Sequence, residues 1–344
     1  MPELFVTNYN PHFTGVSATT ANVVRQQVAQ YDMALVGHPL PGCPTPLSRS
    51  AAHRASLIGP AEKPFAIWHV RRNPEMRSAI WLRDIRRAPI KIVFTSAAQR
   101  LHSAYPRWLI SRMDAVIATT DKAAAYVPHV RAVVPHGVDT DVFTPAQDRA
   151  AAWAALGYGG TQGIATVGRI RPEKGTDVFV DAMLRLLPQS PGTTALVVGR
   201  AGGKHEAFLK GLKDKVAAAG LADRLLFVGE IPAADLPKLM QALCLVVQLP
   251  RYEGYGMVPL EGLASGVAFV GSDAGYYRQF SDQGRVGSIV PLDAEAAAEA
   301  AKTWLSHADP DQLSQITRDV VKTHFSAKAE ADGIGAVYRD LWES

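Results

Sequence analysis

Along this 344-residue chain the apolar residues gather in short, mostly unalternated runs. Runs of that kind fit strands covered on both faces rather than strands with one wet face. In the first half they read "LFVT", "MALVGH", "FAIWHV", "IKIVFTS", "AVIATT" and "AVVPH". The second half gives "GIATVGRI", "TALVVGR", "LLFVGE", "CLVVQLP", "AFVGSD" and "VGSIVP". Helical patterns lie between them, among them 17–30, 97–112, 176–187, 205–219 and 233–243. Strand and helix in alternation mean βαβ units and parallel sheets. The alternation runs, pauses, then runs again. The pause, "HGVDTDVFTPAQDRAAAWAALGYGGTQG" over 136–163, ends in a glycine cluster that reads as a hinge. The expected fold class is therefore α/β, with two Rossmann-like domains facing across a cleft. The boundaries are 1–150 and 151–325, followed by a C-terminal helix over 326–344 that could pack back on the first domain. In such sheets ligands bind at the C-terminal ends of the strands.

Composition adds little to this picture: 47% hydrophobic and 20% charged residues suit a globular protein with sizeable cores. No apolar run reaches the roughly 18 residues of a bilayer crossing. The start, "MPELFVTNYNPHFTG", lacks the basic and apolar regions of a signal peptide. Cys43 and Cys244 are too few for a disulfide framework, so a cytoplasmic location is expected.

Charge does change the picture. Residues 1–150 carry 17 Lys and Arg against 10 Asp and Glu; residues 151–344 carry 19 against 22. The excess sits in 71–112, with ten basic residues and two acidic ones. A field of that sign attracts anionic lipids, acidic sugars or nucleic acid, although such runs are also ordinary solvated surface. Trp68, Trp81 and Trp108 frame the run, as suits a membrane interface. Residues 74–87 show no clean 3.6-residue apolar stripe, so the membrane expectation rests on charge.

The chemistry is concentrated in the second half. "CLVVQLP–RYEGYGM–VPLEGLASG" reads strand, loop, helix. Gly254 and Gly256 allow close approach of backbone N–H groups to a ligand, and Pro259 suits a first helical turn. A helix N-terminus behind a glycine turn is an anion site. Glu253 and Glu261 would repel a phosphate but accept hydroxyls well. Phosphates between two diols describe a nucleotide sugar. Equally, Glu261 could serve only the helix dipole and Glu253 could be a surface residue. The stretch "TVGRIRPEKGTDVFVDAM" adds Arg169 and Lys174 at the same sheet edge, a planar fork and a mobile point charge suited to a diphosphate. Gly15, between the first strand and first helix, is a further point of close approach. GxGxxG occurs neither there nor at "VVGRAGGKH", which argues against a dinucleotide oxidoreductase.

Together, "VGRIRPEKG", "RYEGYGMVPLEGLASG" and "PHGVDTDVFTP" resemble the retaining glycosyltransferases of family four, which have the GT-B fold. "TGVSATT", "WHVRRNPEM" and "IVFTSAAQRLHSAYPRWLISRMDAVIATT" are similar to the lipopolysaccharide core mannosyltransferases of α-proteobacteria. The resemblance implies that Arg169 and Lys174 hold the donor diphosphate and stabilise the leaving group. It implies that Glu261 binds the ribose diol and Glu253 the donor sugar. Gly254 and the amides around Tyr255, Gly256 and Met257 orient sugar and phosphate, and Gly15 lines the cleft. Arg169, Lys174 and Glu253 are the catalytic set. The resemblance implies no protein nucleophile and no metal; "DTD" at 139–141 lies in a linker motif that the family has without one. Two positions depart from the pattern. The histidine common after the fourth strand is missing from "IVFTSAAQR", with His69 a candidate replacement. Arg251 stands where a serine is common, which is expected to reshape the donor pocket.

The implied activity is retaining transfer of mannose from GDP-mannose to an acidic sugar of a lipid-linked lipopolysaccharide inner core. Arg71, Arg72 and His69 are expected on the acceptor side. The enzyme would work peripherally on the cytoplasmic face of the inner membrane, with no nucleic-acid partner. A UDP-hexose donor with another glycan or lipid acceptor is the rival within the class. A nucleotide-sugar-binding protein without transfer activity is the rival outside it.

Overall fold

A computed structural model of the chain describes residues 1–98 and 100–344. The described residues form two compact units. Unit 1 is Met1–Gly137 with Phe325–Ser344, and unit 2 is Val138–His324. Each contains a six-stranded sheet whose neighbouring strands all pair in parallel.

In unit 1 the strands are β1 (Leu4–Asn8), β2 (Met33–Gly37), β3 (Ala66–Val70), β4 (Ile90–Ser96), β5 (Ala115–Ala118) and β6 (Val130–Val133), in the order β2-β1-β3-β4-β5-β6. Alternate residues feed two apolar layers, as a period of two requires. Phe5, Trp68, Ile92 and Phe94 pack beneath the helices Arg49–Ile58, Asn73–Ile80 and Ala104–Ser111. Leu4, Val6, Ile67 and Val93 pack beneath Gly15–Gln27 and the C-terminal helix Ala327–Glu343. That last helix is anchored by Tyr338 and Leu341 in the core and by Trp342, whose indole N–H donates to the Phe65 carbonyl at 3.0 Å.

In unit 2 the strands are β7 (Gln162–Val167), β8 (Thr193–Val198), β9 (Leu225–Gly229), β10 (Leu245–Gln248), β11 (Ala268–Ser272) and β12 (Gly287–Val290), in the order β12-β11-β10-β7-β8-β9. The parallel α/β fold expected from the apolar runs is present in both halves.

Three local expectations are revised. The division falls at Gly137–Val138, not at 150. Residues 138–148 are tied into unit 2 because the Arg318 guanidinium donates to the carbonyls of Thr140, Phe143 and Ala264. The helix Arg149–Leu156 follows them there: Trp153 is buried, and a Cβ on Gly163 would lie 2.0 Å from its ring. The cluster "GYGGTQG" is thus a turn inside unit 2, with Gly157, Gly159 and Gly160 at positive φ, and not a hinge. The helix expected over 97–112 forms only over Ala104–Ser111; Gln99 lies outside the described residues. Residues 73–85 lack a 3.6-residue stripe for a visible reason. The α-helix Asn73–Ile80 passes into a π-helical turn, Trp81–Ile85, so the period changes halfway.

Candidate active site

Unit 2 runs from β7 through β8 to β9 on one side, then returns to place β10, β11 and β12 on the other. The order therefore reverses between β7 and β10. Loops leaving two such strands diverge and leave a crevice at their C-terminal ends. Both expected donor motifs are the loops that follow these two strands.

The β7 loop carries Gly168, Arg169 and a short 3₁₀ turn, Pro172–Lys174, before the helix Thr176–Leu186. Gly175 joins turn to helix at φ +67°, and a Cβ there would sit 1.7 Å from the Leu249 carbonyl oxygen. Only glycine lets the two motif loops touch at this point. Arg251 braces the same junction. Its guanidinium donates to the Pro172 carbonyl at 2.6 Å and to both Asp177 carboxylate oxygens at 2.8 and 2.7 Å. Arg251 was expected to reshape the donor pocket; instead its fork is spent on holding the two loops together. Asp177 was not singled out in the sequence, because an acidic residue in a first helical turn is unremarkable until its partner is known.

The β10 loop ends in the helix Met257–Ala264. Gly256, at φ +93°, precedes that helix, and a Cβ there would lie 2.1 Å from the Tyr277 ring. No side chain caps this N-terminus and no acid occupies its first turn, so its amides remain available to an anion. Tyr255 is buried and stacks on Tyr276 at 5.4 Å, which fixes the loop carrying Gly254 and Gly256. Gly254 meets no atom that would obstruct a side chain.

Of the four expected charged groups, Lys174 and Glu253 meet directly. The Lys174 ammonium donates to Glu253 Oε2 at 2.6 Å, and the Gly254 amide donates to Glu253 Oε1 at 2.8 Å. Arg169 is exposed and makes no ion pair among the described residues. Glu261, in the helix Met257–Ala264 that follows the β10 loop, has its Oε2 sealed from solvent without a hydrogen-bond partner. Desolvation pushes this carboxyl up to about 7. A buried carboxyl oxygen with no donor is suited to a hydroxyl that the free protein lacks.

The residues expected on the acceptor side lie in unit 1. There the strand order reverses between β1 and β3; Arg71–Arg72 lie in the loop after β3, and Gly15, expected to line the cleft for the donor, opens the helix Gly15–Gln27 after β1. Space is open around Gly15. His69 does not present a ring nitrogen to any ligand. It is fully buried in β3, with Nδ1 bonded to the Tyr338 hydroxyl and Nε2 to Thr95 Oγ1 at 2.6 Å. Burial and the neighbouring Arg71 hold it well below the usual imidazole range, hence neutral. Arg72 is also committed: its guanidinium donates to Asn8, Glu75, Thr14 and Ser17. In the "DTD" motif, Asp139 Oδ1 accepts from the amides of Asp141 and Val142, the geometry of an Asx turn.

Comparison with known proteins bears on the family and the fold. The family model described as "Glycosyl transferases group 1" matches residues 156–319. The lipopolysaccharide core biosynthesis mannosyltransferase LpcC of Rhizobium leguminosarum bv. viciae is 40% identical, covering 98% of this chain and 96% of its own. The solved C-terminal domain of the group 1 glycosyl transferase LpcC from Francisella tularensis is 33% identical, with a TM-score of 0.53, and covers 55% of this chain and 99% of its own. Anabaena Alr3699/HepE, solved in complex with UDP, has a TM-score of 0.81 at 15% identity and covers 98% of this chain and 100% of its own, a likeness of fold alone.

Proposed function

This chain belongs to the group 1 glycosyltransferases, and we propose that it transfers mannose from GDP-mannose, with retention, to an acidic sugar of a lipid-linked lipopolysaccharide core. It is a glycosyltransferase with the GT-B fold; the donor, the stereochemistry and the acceptor are the proposed part. One observation carries the reading: near-full-length 40% identity to a lipopolysaccharide core mannosyltransferase coincides with a cation–carboxylate cluster at the unit 2 switch point.

In this reading the donor diphosphate lies on the amides before Met257, between Arg169 and Lys174. Its ribose hydroxyls satisfy the empty oxygen of Glu261. Mannose hydroxyls take Glu253 as acceptor once phosphate has replaced Glu253 as the partner of Lys174. The bond from the anomeric carbon to the phosphate oxygen then breaks. The acceptor hydroxyl attacks from the same face, and its proton passes to the departing phosphate oxygen. Arg169 and Lys174 stabilise the charge that grows on that oxygen, so positioning and fixed charge do the chemical work.

The membrane part of the reading is supported by the outer surface of the helices Arg49–Ile58, Asn73–Ile80 and Ala104–Ser111 and of the π turn. Ile58, Trp81, Ile85, Tyr105 and Trp108 are exposed there among exposed Arg54, Arg77, Arg86, Arg87 and Arg107. Asp84 is neutralised by Arg83 and Arg112, and Glu75 is buried. Trp68, by contrast, is a core residue stacked on Phe5. Among the described residues no helix is long and apolar enough to cross a membrane.

Calorimetric titration without metal tests the donor. GDP binding more tightly than UDP supports mannose; a UDP preference keeps the transferase and discards mannose. Product anomeric configuration by NMR decides retention. Sedimentation with anionic vesicles at low and high salt tests the surface, where binding unaffected by salt would remove the electrostatic argument.

A further inference from the structure

Among the described residues of unit 1, Arg71 is the one buried charged side chain without a hydrogen-bond partner. It directly follows β3, beside the strand-order reversal, and is nine-tenths buried. None of its three guanidinium nitrogens has a hydrogen-bond partner. A buried cation is normally paired, because desolvation without a partner is costly.

Two carboxylates lie close enough to act on Arg71 through space, Glu330 and Glu75, yet both are occupied elsewhere. Glu75 accepts from Thr7, from the amides of Tyr9, Arg71 and Arg72, and from the Arg72 side chain. Glu330 accepts from His136 and from the Gly137 amide, each at 2.8 Å. His69 is held by Tyr338 and Thr95. The fork is thus left empty because the carboxylates nearest to it are bonded elsewhere.

A second feature lies along the same sheet edge. Strand alternation puts Arg71, Thr95 and Thr119 on one face, at the ends of β3, β4 and β5. Thr119 is fully buried and its hydroxyl also has no partner. Arg71 aligns with Thr95 and so with Ile117, two residues before Thr119. With strands about 4.8 Å apart and about 3.3 Å per residue, Arg71 and Thr119 stand roughly 12 Å from each other at the backbone, about the reach of a sugar with its substituents.

The geometry points to Arg71 as the oxyanion-recognition residue of unit 1, its guanidinium taking two oxygens of a carboxylate or phosphate on a polyhydroxylated acceptor while Thr119 meets a hydroxyl. The inference rests on the transferase reading for the identity of that acceptor. Arg72, identical in type and adjacent in sequence, is a positioning residue that ties the β3 loop to the start of the helix Gly15–Gln27 through Thr14 and Ser17.

The test uses the full chain with lipid-linked core acceptor in three forms: native, carboxyl-esterified and dephosphorylated. Arg71→Met should raise the acceptor KM about 30- to 100-fold, as expected for loss of a bidentate charge-assisted pair, and leave nucleotide-sugar affinity within twofold. Arg71→Lys should recover part of the loss, because a point charge cannot reproduce the fork. One chemical modification should cost the wild type a similar factor and cost Arg71→Met nothing further; which one it is identifies carboxylate or phosphate. Thr119→Val should raise the same KM by a smaller factor. An unchanged acceptor KM would overturn the assignment, and so would a parallel loss of nucleotide affinity or two losses that simply multiply.

Stability supplies an independent readout. Arg71→Met removes an unpaired buried charge, so the free protein should melt no lower than wild type; a drop beyond about 5 °C would make Arg71 a structural residue. If no acceptor is mannosylated, the transfer reading fails by itself. Arg71 is then judged by thermal shift with millimolar acetate or inorganic phosphate, present in wild type and absent in Arg71→Met if the assignment holds.

Discussion

Glu261 gives a prediction whose sign and size follow from one buried atom. Its Oε2 is sealed from water and has no donor, and burial pushes the carboxyl up to about 7. A ribose diol supplies two hydroxyl donors, which favour the ionised carboxylate. Binding therefore draws on the deprotonated fraction, and a proton leaves when nucleotide binds near or below pH 7. With a free-site value of about 7 and the bound carboxyl held ionised across this range, affinity should be about tenfold weaker at pH 6 than at pH 8. GDP-mannose is the ligand to use, because its diphosphate diester does not titrate in that range. Calorimetry in two buffers of different ionisation enthalpy should show release of about half a proton at pH 7. The same residue has the opposite effect on folding. Its folded value lies above the ordinary carboxyl value of 4.5, so the native state keeps a proton that the unfolded chain has lost. Stability of the free protein should fall as pH rises from 4.5 to about 7, by at most about 3 kcal/mol. Glu261→Gln should flatten both profiles. It should weaken nucleotide binding tens of fold while stabilising the free protein at pH 8. Flat affinity between pH 6 and pH 8, or proton uptake on binding, would refute the reasoning.

Three other outcomes are expected. Glu253→Ala removes the partner of Lys174 at 2.6 Å, so bare GDP should bind as well as to wild type or a few fold tighter by calorimetry, while mannosyl transfer falls by two or more orders of magnitude. Gly175→Ala forces a Cβ to within 1.7 Å of a backbone oxygen at φ +67°, and denaturant titration should show unit 2 destabilised by about 2–4 kcal/mol. Arg251→Ala and Asp177→Ala should each loosen the junction of the two motif loops, and a double-mutant cycle on stability should give a coupling of about 1 kcal/mol, since the pair is half exposed but bidentate.

The unalternated apolar runs made the fold legible: every strand read from them exists within a few residues. Strand order was not legible, because βαβ alternation is compatible with several orders and the switch points arise only when β3 and β10 cross back. The donor motifs were legible as strand–loop–helix with glycines, since positive φ at Gly175 and Gly256 is a backbone demand that sequence can signal. What those glycines approach was not, because Leu249 and Tyr277 are distant from them in sequence. The unit boundary was misplaced for a similar reason. A glycine-rich turn looks like a hinge until Trp153, buried against Gly163, shows which core it belongs to.

The sequence "HVRRN" shows the limit most sharply. Charge alone makes Arg71 and Arg72 equivalent, and His69 a third candidate beside them. Strand geometry separates them, since neighbouring residues at the end of β3 turn to opposite faces. Arg72 meets Asn8, Glu75, Thr14 and Ser17 and is consumed by them. His69 enters the core and is consumed by Tyr338 and Thr95. Arg71 enters the same face one pleat later, where Glu75 and Glu330 are already bonded to other groups. Among the described residues, a net positive stretch of ten basic residues thus leaves, at the sheet edge of unit 1, one buried guanidinium with unused donors. Recognition of an anion there depends on how completely the neighbours of Arg71 are satisfied without it. Changes that free an acceptor beside it, such as loss of the His136 partner of Glu330, should therefore weaken acceptor binding although they touch neither Arg71 nor any ligand.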